Sequence, residues 1–257
     1  MRDILDPAIK GTVGILKSIK AYAPAVRRVI VTSSFAAMVN PYQHATVYNE
    51  SCWNPIKWED ALANTWEAYR SSKVIMLTPR LPVAPNLVQT FAEKAAWDFM
   101  RDETPSFDLS VLNPSMAFGP VAAQQMRGGA LNTSNSRILD FIEGKAKQYL
   151  PKSDTFLWVD VRDAALGHVR AIEVPEAGGK RIFLTAGYYS NKRIVDAIRE
   201  THPELESKLP SIDIPDDLPV DVYGYDNSRA RELLGLEFHS LKDSIGDTVT
   251  SLLATGN

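Results

Sequence analysis

One cysteine, four histidines and no long apolar run set the first limits on this chain of 257 residues. With Cys52 alone no internal disulfide can form, and such sparse cysteine fits a reducing compartment. His44, His168, His202 and His239 are scattered without ligand spacing, so no metal site is expected. No stretch reaches the roughly 18 consecutive apolar residues of a membrane span. The segment Met1 to Pro7 lacks the apolar centre of a secretion signal. A net charge of −3 leaves no electrostatic footprint for nucleic acid or an anionic membrane. Repeats and low-complexity tracts are missing as well. These absences predict a soluble, cytoplasmic protein without nucleic-acid or membrane partners, acting as a monomer or homodimer.

What is present is ordinary globular material: 45% hydrophobic and 23% charged residues, enough chain for one large domain or two modest ones. Residues 6 to 22 read as an amphipathic helix, with Asp6 as cap, Pro7 in the first turn and an apolar stripe of Ile9, Val13, Leu16 and Ile19. Pro24 ends it, and the apolar run Val29-Ile30-Val31-Thr32 follows as a buried strand. Helix, short loop and buried strand are the grammar of an α/β sheet. A second strand is expected over Leu109 to Leu112, leading into the Pro/Gly-rich Asn113 to Pro120, and a third over Arg181 to Thr185. Helices are expected over Leu131 to Glu143, from about Asp163 to Glu173, and through much of 188–257 around a Pro/Asp-rich connection from Pro210 to Pro219.

The candidate chemistry lies in Glu67-Ala68-Tyr69-Arg70-Ser71-Ser72-Lys73. Residues four apart share a helix face, so Lys73 would place an ammonium beside the Tyr69 phenol. A neighbouring cation favours the phenolate and brings a group with an ordinary pKa of about 10 toward useful proton transfer. Thirty-five residues upstream, Ser34 leaves the Val29–Thr32 strand, where its hydroxyl could meet the same point. Ser34, Tyr69 and Lys73 thus form a candidate carbonyl reductase triad. The spacing is not unique, because Tyr188 and Lys192 repeat it and Ser153 stands 35 residues before Tyr188. Ser153, however, sits in the polar Pro151-Lys152-Ser153-Asp154 rather than at a strand end.

Directly after Lys73 the pattern breaks. Residues 74–89 carry Pro79, Pro82 and Pro85, each costing about 3 kcal/mol inside a helix, and helical pattern resumes at Thr90. The 16 residues interrupt what reads as one continuous helix from Tyr69 to Arg101. Valine codons begin GT and one glutamine codon is CAG, so the piece from Val74 to Gln89 fits a translated in-frame intron.

In family order, Asp6 to Thr12, Val31-Thr32-Ser33-Ser34, Glu50-Ser51-Cys52-Trp53, Tyr69 to Lys73 and Phe91 to Trp97 line up along the chain. They are followed by Asn113-Pro114 with Gly119-Pro120, Leu131-Asn132-Thr133-Ser134, Asp160-Val161-Arg162-Asp163, Asn227-Ser228 and Leu233-Leu234-Gly235. Together these segments resemble the extended short-chain dehydrogenase/reductase family, within the NAD-dependent epimerase/dehydratase superfamily, on its dihydroflavonol 4-reductase and methylglyoxal/carbonyl reductase branch. The resemblance covers nearly all of the chain except 74–89.

The resemblance implies an α/β fold: a partial Rossmann-like parallel sheet with helices on both faces, plus a small, mostly helical C-terminal substrate region. It implies a dinucleotide-binding part over 1–120, with 155–187 returning to it, and a substrate-binding part over 121–154 and 188–257. Tyr69 would donate a proton to the carbonyl oxygen, Lys73 would bind the nicotinamide ribose and lower the Tyr69 pKa, and Ser34 would orient the substrate carbonyl. Pro114, Ser115, Met116 and Ala117 would line the nicotinamide, with Ser134 near the cofactor. The cofactor would be NADPH, with NAD the lesser expectation, and the substrate a small aldehyde or ketone, dihydroflavonol-like. Trp53 reads as packing before substrate contact, and Tyr188 as structural.

The family opens with a strand and a Gly-x-x-Gly-x-x-Gly turn that holds the pyrophosphate at a helix N-terminus. This sequence has no such turn, and it begins where the family pattern is about 80 residues along. Two other readings therefore stand beside the reductase: a catalytically silent fragment, and a nucleotide-sugar epimerase or dehydratase using the same three side chains. The Glu50–Trp53 and Leu131–Ser134 segments favour the reductase over the epimerase.

Overall fold

The computed structural model describes residues 2–57, 85–122, 131–153 and 155–254. They fall into two units. The first comprises Met1–Ser115, Leu166–Leu184 and Tyr223–Leu236; the second comprises Met116–Ala165, Thr185–Val222 and Glu237–Asn257.

The first unit is built on a parallel sheet of three strands, β1 (Arg28–Thr32), β3 (Asp108–Pro114) and β6 (Arg181–Leu184), in the order β1-β3-β6. A parallel sheet of this kind carries helices across its faces, the layering of an α/β fold. The register pairs Arg28 with Asp108 through Thr32 with Leu112, and Val111 with Arg181 through Pro114 with Leu184. Alternation decides which side chains meet the helices. Val29 and Val31 on β1, with Leu109 and Val111 on β3, join a core with Leu16 of α1 (Arg2–Tyr22) and Ala96 and Phe99 of α2 (Pro85–Glu103). Ser110, between the two buried β3 positions, instead donates to Ala177 O at 2.5 Å. Val47–Tyr48 (β2) pairs in parallel with Gly224–Tyr225 (β8) as a separate two-stranded ladder.

At the first rung of the main sheet Arg28 grips Asp108 with two bonds, Nε to Oδ1 at 2.6 Å and Nη2 to Oδ2 at 2.8 Å. The same guanidinium donates to the carbonyls of Ala171, Val174 and Pro175. Those carbonyls lie at and beyond the end of α4 (Val161–Glu173), where a helix leaves acceptors without intrahelical donors. One arginine thus fixes strand register and helix end together.

Two boundaries differ from the sequence reading. The first helix starts at Arg2 rather than at an Asp6 cap, with Pro7 inside it. A proline there gives up one backbone bond without stopping a helix whose Val13, Leu16 and Ile19 pack into the core with α2. Helix α2 starts at Pro85 rather than Thr90, because a proline at the first helical position loses only an N–H that would lack an intrahelical partner anyway. Five residues of the expected interruption are therefore helical. Tyr69, Lys73 and residues 74–84 lie outside the described residues.

The second unit has its own sheet, which the sequence reading did not contain. Here β4 (Met116–Phe118) runs parallel to β5 (Leu157–Asp160), which pairs antiparallel with β7 (Gly187–Tyr188). The signal for β5 was a four-residue apolar run, a length at which periodicity does not distinguish strand from buried helix. Helices α3 (Thr133–Ile142), α5 (Asn191–Thr201) and α6 (Leu241–Ala254) pack Ile138, Phe141, Ile194, Ile198, Ile245 and Val249 against Phe118 and Trp158. Ser190 caps α5 by accepting from Arg193 N at 3.1 Å. No helix among the described residues is long and apolar enough to cross a membrane.

Candidate active site

Ser34 follows β1 at the carboxyl edge of the parallel sheet, the edge where open α/β sheets bind ligands. Its backbone is extended, and it caps a short 3-10 turn, Phe35–Ala37, by accepting from Ala36 N at 3.1 Å. The oxygen is thus engaged as an acceptor, and among the described residues the hydroxyl proton is not donated. Ser34 is half-buried, as is Pro114, which ends the adjacent strand two residues beyond the Thr32–Leu112 pair. The structure therefore brings these two predicted residues to one edge.

The remaining predicted positions fall as follows. Ser115 is buried and tied to the end of β6, its N–H and its hydroxyl both donating to Leu184 O, at 3.0 and 3.2 Å. In the second unit, Ser134 Oγ donates to Ala117 O at 2.5 Å and accepts from Asn132 Nδ2 at 2.6 Å, so Ala117 and Ser134 are held together. Met116 lies beside Ala117 on β4, paired with Trp158. Tyr69 and Lys73 are outside the described residues.

The duplicate spacing resolves into structural parts. Tyr188 belongs to β7 and Lys192 to α5, so the two do not stack on one helix. Lys192 Nζ is paired with both oxygens of Asp196, at 2.6 and 2.7 Å. Ser153 Oγ accepts from Asn191 N at 2.9 Å, at the start of α5.

Around Ser34 lies a polar node that the sequence reading missed. Glu93, on the sheet-facing side of α2, is 1% exposed, and its carboxylate meets Arg181 Nε at 2.6 Å. Oε2 of Glu93 also accepts from Ser33 Oγ at 2.5 Å and from Asn113 Nδ2 at 2.9 Å. Arg181 spends Nη1 on Glu50 O and Cys52 O, at 2.6 and 2.7 Å, which fastens the 50–53 loop to β6. Glu50 Oε1 in turn accepts from Phe183 N at 3.0 Å. The available signal was a lone carboxylate in the apolar run of Phe91, Ala92, Ala95 and Ala96. Such a residue is buried only with a partner.

A cavity of about 380 Å³ opens in the same unit, lined by Met38, Asn40, His44, Tyr48, Cys52 and Trp53. Tyr48 is buried with its hydroxyl accepting from Asn40 N at 3.1 Å, and burial pushes its phenol pKa up. Burial likewise pulls the His44 pKa down.

The ketoreductase azaE of Aspergillus niger is 48% identical to the chain over 252 residues, covering 98% of this chain and 70% of that protein. The chain belongs to the short-chain dehydrogenase/reductase family. Another relative in that family is the NADPH-dependent methylglyoxal reductase GRE2 of Saccharomyces cerevisiae, 32% identical over 98% of this chain and 71% of its own length. The crystal structure of Gre2 from Candida albicans in complex with NADPH matches this reductase-family fold with a TM-score of 0.85. That match is 32% identical and covers 100% of this chain and 72% of the other. No protein-family model matches the chain.

Proposed function

We propose that the chain is an NADPH-dependent reductase that turns an aldehyde or ketone into an alcohol through Ser34, Tyr69 and Lys73. The observation that carries this reading is Ser34 at the carboxyl edge of a parallel sheet, its oxygen engaged by Ala36 N–H and its proton without an acceptor among the described residues. A hydroxyl so placed serves a carbonyl oxygen, which accepts. Tyr69 then gives its proton to that oxygen as negative charge develops there, and Lys73 makes the phenol readier to lose it. The 48% identical ketoreductase and the methylglyoxal reductases support a small carbonyl compound as substrate; a dihydroflavonol-like ketone is the larger candidate.

The described residues fit a nicotinamide cofactor. Asn113 Oδ1, at the end of β3, is buried with no partner among the described residues, an unused acceptor near the sheet edge. Tyr69, Lys73, Pro114, Ser115, Met116, Ala117 and Ser134 would hold the cofactor, which supplies the hydride. Residues 1–120 with 155–187 would serve the dinucleotide, and 121–154 with 188–257 the substrate.

The test is NADPH oxidation with methylglyoxal by the purified chain and its Tyr69→Phe variant. Loss of a general acid should lower kcat by about 10²- to 10⁴-fold. Turnover unchanged in Tyr69→Phe would overturn the assignment.

A further inference from the structure

β1 runs into two consecutive serines that are held in different ways. Ser33 Oγ donates to Glu93, whereas Ser34 Oγ accepts from its own turn at Ala36 N. Successive side chains of extended backbone point to opposite sides, and Ser34 is extended, with φ −162° and ψ 158°. Fastening Ser33 to the α2 side therefore turns Ser34 to the other. Asn113 completes the hold: its Nδ2 donates to Glu93 Oε2 at 2.9 Å and to Ser34 O at 3.2 Å. Both partners are acceptors, which fixes the amide with its NH2 toward them.

Two donors, the Ser33 hydroxyl and the Asn113 amide, thus converge on one carboxylate oxygen. A carboxylate oxygen has the lone pairs to accept from both. Burying that carboxylate requires a cation, and Arg181 supplies it. The packing of α2 on α1 and the sheet is apolar, through Leu16, Ala96, Phe99 and Leu109. The polar node therefore adds something that joining helix to sheet does not require.

We propose that Glu93 is a positioning residue for Ser34: through Ser33 and Asn113 it sets the direction in which Ser34 presents its hydroxyl to a substrate carbonyl. The inference rests on the role given to Ser34 above. A carboxylate on α2 thereby controls the aim of a donor it does not touch, and a misaimed donor slows the chemical step while leaving cofactor binding unchanged.

Replacing Glu93 would strand Arg181, so the decisive variants are Ser33→Ala, which removes one hydrogen bond, and Ser33→Thr, which keeps the hydroxyl. In Ser33→Ala, kcat with methylglyoxal should fall by about tenfold to a hundredfold with KM for NADPH unchanged, and Ser33→Thr should restore it. Amide hydrogen exchange at Ala36, which reports the Ser34 turn, should be about tenfold faster in Ser33→Ala and normal in Ser33→Thr. Unaltered kcat and unaltered Ala36 exchange in Ser33→Ala would overturn the proposal. If the parent chain shows no turnover with methylglyoxal, the reductase reading fails. Ala36 exchange then decides by itself whether Ser33 and Glu93 hold the Ser34 turn, unchanged exchange again overturning the proposal.

Discussion

The guanidinium carbon of Arg181 lies 3.7 Å from the centroid of the Trp53 ring. Trp53, read from the sequence as packing, is half-buried, and its ring lies against the cation of the buried Glu93 pair. Lys94 Nζ stands 5.5 Å from the same ring. The indole keeps water from one face of the guanidinium, which strengthens every bond that Arg181 makes in the node.

Trp53→Ala should therefore cost about 1–3 kcal/mol, from a desolvated cation–π contact of about 2 kcal/mol and lost apolar cover. Urea denaturation of the two proteins measures it. An unchanged midpoint would show that the indole contributes nothing to the pair.

Removing Arg181 should be worse than removing both partners. Arg181→Met leaves Glu93 buried without its cation, at a cost of about 3–5 kcal/mol, whereas Glu93→Leu combined with Arg181→Met leaves no charge stranded. Ser33 and Asn113 lose an acceptor in the double variant, which retains part of the penalty. Equal stability of the single and double variants would contradict this account.

Gly178 stands against the Arg28–Asp108 pair with no room for a side chain. A Cβ there would lie 2.3 Å from Asp108 Oδ2 and 2.6 Å from Arg28 Nη2. Both atoms end side chains, yet neither is free to swing, because Arg28 is also bound to three backbone carbonyls. Gly178→Ala is expected to lower stability by about 1–3 kcal/mol, read as a urea midpoint shift. Gly179→Ala, beside it, meets no such crowding but has a φ of +71°, so it should lose only the smaller cost of a left-handed alanine, about 1 kcal/mol.

In the second unit, acid should weaken one ion pair in a defined window. Burial alone would raise the Asp160 pKa, but the bonds from Arg162 outweigh it and hold the pKa below the ordinary 3.8. They run from Nε to Oδ1 at 2.9 Å and from Nη2 to Oδ2 at 2.8 Å. A depressed carboxyl pKa contributes stability above the unfolded value that disappears as pH falls through the folded one. The destabilisation in Arg162→Met should therefore be largest near neutral pH and narrow below about pH 4, as Asp160 takes up a proton. Urea midpoints at pH 7 and pH 3 test this; a difference that stays constant or widens would refute it.

The proline-rich interruption makes a prediction about the message. If residues 74–89 are translated intron, transcripts joining the Lys73 codon directly to that of Thr90 should dominate. A dominant transcript that retains the intervening codons would refute this.

Much of the framework is legible in the chain itself. The apolar runs at 29–32, 109–112 and 181–185 mark the three parallel strands, but only β3 and β6 are buried as expected, while β1 is half-buried and ends on the exposed Thr32. The Tyr69–Lys73 spacing and the serine at a strand end are likewise sequence facts, and family membership followed from ordered motifs. Periodicity reports only what lies within a few residues. Tertiary structure alone decided that Tyr188 and Lys192 fall on a strand and a helix, that β4, β5 and β7 form a sheet, and that Glu93 pairs with Arg181, 88 residues away. Such partners are chosen by register and by the need of every buried polar group for a counterpart. Those requirements exist only once distant strands and helices have been brought together.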